Sequence, residues 1–167
     1  MSLKLQFEQW VPYSLERVFR FFGNPNNLPK IMPPRTATRI DSLRLIHPSG
    51  EPDLADVGSE IVTSFKVLSF LPFRSTWVAR ITEFEWNDHF ADTQKLGPFK
   101  SFHHRHQLKQ ESRNSISGTI VRDVIDLEVG FGWLGWLIER LFIRGQMKVT
   151  FRYRQQALEK LLEINPT

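Results

Sequence analysis

From Thr36 to Val129 the sequence reads as one strand after another, joined by links too short to hold a crossover helix. Candidate strands run over Thr36–Ile46, Ile61–Phe70, Phe73–Trp86, Phe90–Leu96, Ser101–Gln110 and Ile116–Val129. Alternation of apolar and polar residues marks strands with one buried and one solvated face. The breaks are turn chemistry: a polar loop over His47–Asp56, Leu71-Pro72 as a tight turn or bulge, Asn87-Asp88 as a hairpin connection, and Gly97-Pro98. Parallel pairing would need crossovers of about a dozen residues, so this stretch reads as an antiparallel meander.

Helical pieces bracket it. Leu3, Leu5 and Phe7 alternate with Lys4, Gln6 and Glu8, a first strand over Leu3–Val11. Leu15, Val18, Phe19 and Phe22 recur at helical spacing, and Gly23 stops that helix. Asn24-Pro25 starts a second short piece around Asn27–Ile31, which Pro33-Pro34 ends. Beyond Gly130 lies a glycine-hinged apolar segment, Phe131–Trp136. A helical stripe of Leu134, Leu137, Ile138, Leu141 and Phe142 follows, then a second of Met147, Phe151, Arg154, Leu158 and Leu162 on another azimuth. Gly145 lies between the stripes and predicts a kink or break there. The fold class expected is α+β: a curved antiparallel sheet of about six to seven strands wrapped around a long C-terminal helix, with two short helices after strand 1. The gap between sheet and helix is where a pocket would form.

The 167 residues suit a single domain spanning 1–167 with a core of its own. Cysteine is absent, which excludes disulfides, thiolate metal sites and cysteine nucleophiles and fits a reducing, cytoplasmic setting. The N-terminus lacks the features of a secretory signal. The longest uncharged apolar run, Val129–Ile138, is about half the length a spanning helix needs. The formal net charge of +4 comes from scattered basic residues without a nucleic-acid reader motif, so no nucleic-acid partner is expected. Fourteen Phe and five Trp call for an interior or a pocket.

Several stretches carry a family likeness: Phe21-Phe22-Gly23-Asn24-Pro25-Asn26-Asn27-Leu28, Leu71-Pro72-Phe73, Trp77 to Phe84, Gly97 to Phe102 with His104 and His106, and Leu141-Phe142-Ile143-Arg144. In them the chain resembles the SRPBCC (START/polyketide-cyclase-like) superfamily, in particular its bacterial cyclase/dehydrase branch, from about Leu3 to Leu162. The resemblance implies the helix-grip fold and an internal ligand cavity. It is specific for fold and a poor guide to chemistry.

Alternation turns Phe102, His104, His106 and Leu108 to one face, and Val121, Asp123, Ile125 and Leu127 to another inner row. Phe90, Asp92, Gln94 and Leu96 make a third. His104, His106 and Asp123, with Asp92 and Gln94 nearby, are therefore expected as a polar patch in an aromatic cavity. It can be a structural hydrogen-bond network, a set of groups orienting a ligand, or an acid–base pair in which Asp123 holds a histidine in one tautomer. A histidine-pair metal site is the weakest alternative, and no metal or cofactor is expected. His103 points the other way. Glu83, Glu85, Asp88 and Asp92 lie near a hairpin, where solvated carboxylates are the ordinary outcome.

Trp77 reads as core packing or ligand stacking. Phe131, Trp133 and Trp136 read as a pocket lid, as core, or as a transient membrane-surface contact, with stable insertion excluded. No phosphate loop, nucleophile elbow or zinc-protease helix is present. The function expected is binding of a small hydrophobic or amphipathic molecule (lipid, polyketide or isoprenoid-like) by a monomer or homodimer. The alternatives are a cyclase or dehydratase working through His104, His106 and Asp123, and a lipid-surface or protein interaction module.

Overall fold

The computed structural model describes residues 2–47, 50–67 and 72–164. Among the described residues, seven strands form one antiparallel sheet: β1 Leu3–Val11, β2 Arg39–Arg44, β3 Glu60–Phe65, β4 Ser75–Glu85, β5 His89–Leu96, β6 Ser101–Arg113 and β7 Ile116–Glu128. The spatial order is β1-β7-β6-β5-β4-β3-β2. The meander thus runs outward from β7 to β2, and the first strand returns to pair with the last. Helices α1 Leu15–Gly23 and α2 Leu28–Ile31 fill the connection from β1 to β2, and α3 Gly132–Ile138 and α4 Arg144–Ile164 follow the sheet. This is the helix-grip arrangement.

Local chemistry accounts for the joints. β6 and β7 are joined by Asn114 and Ser115, both left-handed (φ 50° and 66°), the two-residue geometry that matches the twist of a hairpin. β4 turns into β5 through Trp86–Asp88 with Asn87 left-handed at φ 59°. The Asn24 side chain accepts a hydrogen bond from the Asn26 amide and caps the 3₁₀ turn Pro25–Asn27.

Two apolar clusters hold α4 to the sheet. Leu158 and Leu162 pack with Val11, Val18, Phe19, Leu54, Phe90, Leu108 and Val121. Phe151 packs with Leu3, Ile125 and Leu127, and its ring stacks on Phe7 at 4.3 Å. A third cluster of Ala55, Ile61, Ala79 and Ile81 lies towards the β2 side.

Three expectations need correction. The strand expected over Thr36–Ile46 is only Arg39–Arg44, because Pro34–Thr36 form a 3₁₀ turn and Ala37 is left-handed (φ 43°). The strand expected to Phe70 ends at Phe65; residues 68–70 and Leu71 of the expected turn lie outside the described residues. Gly145 makes no break: it lies inside α4, and the irregularity is a π-helical turn over Glu139–Ile143. That turn ends the register of the first stripe, and Leu134, Ile138 and Leu141 are exposed instead of buried.

Candidate functional site

The polar residues sit between the two clusters that clamp α4. On β6, Leu108 belongs to one cluster and Phe102 packs on the other; His104 and His106 stand between them on the same face. Register completes the group. His106 is opposite Asp123 on β7, and His104 is opposite Asp92 on β5. His104, His106 and Asp123 are buried, Asp92 nearly so.

His104 Nε2 lies 3.0 Å from Asp123 Oδ1, in hydrogen-bond geometry. His106 Nδ1 lies 2.7 Å from the same oxygen but off the line of a ring N–H, and makes no directed hydrogen bond. His104 Nδ1 faces Asp92 Oδ1 at 3.8 Å. Rings close the surroundings: Phe90 stacks on His106 at 4.4 Å, Phe22 lies 5.5 Å from it, and Phe151 meets His104 edge-on at 5.6 Å.

From α4, Arg154 joins them. Its guanidinium feels both Asp123 and Asp92, lies 4.8 Å from the Phe151 ring, and among the described residues its Nε has no hydrogen-bond partner. The sequence placed Arg154 on the inner stripe without giving it a role; the signal was a lone cation among apolar stripe positions.

Charge now dictates protonation. Burial pulls His104 down to about 4, helped by neighbouring His106 and only partly opposed by Asp123 and Asp92. His106 is also lowered by burial, against the pull of Asp123. Burial alone would raise Asp123, but the two imidazoles and Arg154 reverse it and hold the carboxyl well below its ordinary value. Asp92 is raised by burial, beyond what His104 and Arg154 restore. Two carboxylates face one permanent cation, so a single proton shared between Asp92 and the imidazoles makes the group neutral. A neutral His104 that donates from Nε2 to Asp123 keeps Nδ1 free towards Asp92. Of the two contacts of His104, only the one to Asp123 is a hydrogen bond; Asp92 stands beyond hydrogen-bond distance of Nδ1.

Ligand atoms of Asp92, His104 and His106 all lie within 4.8 Å of one another, close enough to hold an ion. The fit is poor, because Arg154 already supplies a positive charge to the same carboxylates and His104 Nε2 is engaged by Asp123.

The other expected residues lie elsewhere. Gln94 is turned to the β5–β6 connection, donating to the Phe99 carbonyl (2.7 Å) and accepting from the Phe99 amide (3.3 Å). Leu96 of the same row is exposed. Phe102 and Trp77 form an aromatic wall with Phe99; the Trp77 ring lies 4.7 Å from Phe102 and 5.9 Å from Phe99. His103 points outward, towards Glu83. Glu83 also pairs with Arg105 and His89, so it is more engaged than an ordinary hairpin carboxylate. Phe131 and Trp133 are 80% and 78% exposed, which rules out core packing, and Trp136 is exposed beside them. A cavity of about 290 Å³ opens between Lys100, Glu128–Gly132, Trp136 and Glu139, beside α3.

A sequence profile of the family described as polyketide cyclase / dehydrase and lipid transport matches residues 11–154. No curated protein matches the chain in sequence. Among solved structures, TTHA0849 from Thermus thermophilus is similar with a TM-score of 0.60 at 17% identity, over 95% of both chains. Ara h 8.0201 gives 0.64 at 11% identity, over 99% of this chain and 100% of its own. Major latex-like protein 151 from Panax ginseng gives 0.59 at 16%, over 95% and 96%. At these identities the likenesses establish the fold. With the profile running through the sheet and into α4, the chain belongs to the polyketide cyclase/dehydrase and lipid transport family.

Proposed function

We propose that the chain is a single domain that binds a small hydrophobic or amphipathic molecule between the sheet and α4, its polar end held by the His104–His106–Asp123–Arg154 group. The observation that carries this reading is unspent hydrogen-bonding capacity in an aromatic interior. Among the described residues, Arg154 Nε is buried without a hydrogen-bond partner, and His106 Nδ1 has only its misaligned contact with Asp123. Buried polar atoms are nearly always satisfied, and an orphan costs on the order of 1–3 kcal/mol. A ligand oxygen would satisfy Arg154 Nε, while Phe102, Trp77 and Phe99 offer apolar surface for its body. The cavity beside α3 is near the lower end of ligand-site volumes, and its lining includes none of these side chains. Native mass spectrometry of the purified protein, followed by denaturing extraction, tests it: a discrete extra mass of apolar character is expected, and a clean apo mass from several preparations counts against it.

One observation favours a second reading, acid–base catalysis of cyclase or dehydratase type. Asp92 is raised while Asp123 is lowered, and carboxylates pushed apart in this way divide naturally into acid and base. In that case His104→Ala and His106→Ala abolish turnover of the extracted molecule with folding intact; lost folding instead marks the network as structural.

A further inference from the structure

Among the described residues, nothing covers the apolar face of α3 turned away from the sheet. Phe131, Trp133 and Leu141 are each about three-quarters or more exposed, with Leu134, Trp136 and Ile138 beside them.

Two independent features single this face out. The first is the backbone. Phe131 holds φ 69°, the left-handed region where a bulky side chain is an outlier, and Gly132 continues it at φ 56°. Gly135 then seats α3 so close on the Gly130 carbonyl that a Cβ there would collide with its oxygen. The rings are held outward by a tight, strained seat. The second is charge. Arg140, Arg144, Lys148 and Arg152 recur every four residues and all are exposed. Residues 130–152 contain four Lys or Arg, all in this row, against one acid, Glu139, which is buried and faces Arg144 at 3.4 Å. The Arg140 guanidinium lies 5.6 Å from the Trp136 ring, joining the aromatic end to the basic row.

Aromatic tips next to a row of cations match the layering of a bilayer, acyl chains beneath anionic headgroups. We propose that α3 and the basic row of α4 form a docking surface for an anionic lipid bilayer. Phe131, Trp133 and Leu141 enter the headgroup–acyl boundary, and Arg140, Arg144, Lys148 and Arg152 contact lipid phosphates. A second copy of the chain fits this face less well, because a two-fold contact would bring two rows of cations together. The proposal stands apart from the interior ligand site and from any ligand found there.

The test is co-sedimentation of the full chain with vesicles of phosphatidylcholine alone and of phosphatidylcholine mixed with phosphatidylglycerol. Sedimentation is expected with the mixed vesicles and little with the neutral ones. Lys148→Gln and Arg152→Gln should each weaken binding by about fivefold, and Phe131→Ala with Trp133→Ala by about tenfold or more. These positions are exposed, so all variants should keep the wild-type circular dichroism and melting temperature. Absence of sedimentation, sedimentation indifferent to lipid charge, or binding unchanged in the aromatic double variant overturns the proposal. Self-association in sedimentation velocity that Trp133→Ala abolishes overturns it too, by showing that a second copy covers the face.

Discussion

His104 Nε2 donates to Asp123 Oδ1 across 3.0 Å, which leaves His104 Nδ1 as the free acceptor and turns it towards Asp92. Asp123 is therefore the anchor of the group: both imidazoles crowd onto one of its oxygens, and Arg154 balances its charge.

Asp123→Asn removes the charge but keeps the volume, leaving Arg154 with only the reluctant Asp92 as its counter-charge. Removing the charged acceptor of the buried His104 hydrogen bond, and the carboxylate whose field Arg154 feels, costs about 1–3 kcal/mol. Urea unfolding should register a loss of that order. Asp123→Leu combined with Arg154→Met should recover much of it, since no buried charge is then uncompensated. A loss that the double variant does not reduce would show that the two side chains do not act as a pair.

Stability should depend on pH in a definite direction. His104 falls from an ordinary 6.5 to about 4 on folding, so between these values the unfolded chain binds more protons. Stability is complete above about pH 6.5 and is lost as pH falls towards 4, by about 3 kcal/mol from this group, with His106 acting in the same sense. Asp92 acts oppositely: its raised value favours the folded state where it is protonated, and that favour fades as pH rises. Unfolding free energies from pH 4 to 7 should therefore rise with pH in wild type, more steeply in Asp92→Asn, and less in His104→Leu. A flat wild-type profile contradicts the assigned protonation states.

Phe131 combines an unfavourable backbone with little burial. Asparagine tolerates the left-handed region, so Phe131→Asn should stabilise the fold by about 0.5–1 kcal/mol. Chemical unfolding measures this directly. A destabilised variant would mean that the ring packs against something in solution.

Gly135→Ala tests the seat of α3. The added methyl collides with the Gly130 carbonyl, so α3 must lift from the end of β7. Hydrogen exchange should lose protection over residues 132–143, with little change in the global melting temperature, because α3 contributes few buried side chains to the core. Cooperative loss of the whole fold would show instead that α3 is integral to it.

Period-two alternation made the inner face of β6 and β7 legible, because a strand cannot turn Phe102 and Leu108 inward without taking His104 and His106 with them. Which residue would oppose which was not legible, since it depends on the Asn114-Ser115 turn that sets β7 against β6. Gln94 illustrates the limit. Register shifts in the β4–β5 ladder and the nearby Phe99 backbone draw it to the turn, and alternation carries no trace of either. On the helices, periodicity identified an apolar face on α3 but could not say whether anything covers it. Arg154 went unassigned for the same reason: its partners come from strands distant in sequence.

The central claim is that the buried polar group receives the polar end of an amphipathic ligand. Myristate, a long chain with one carboxylate, is a suitable probe, and the imidazole resonances of the five histidines are the readout. Titrating the labelled protein should shift His104 and His106 together and saturably, leaving His47, His89 and His103 in place. Shifts confined to the Trp133 and Trp136 indoles, with both buried histidines unmoved, would contradict it.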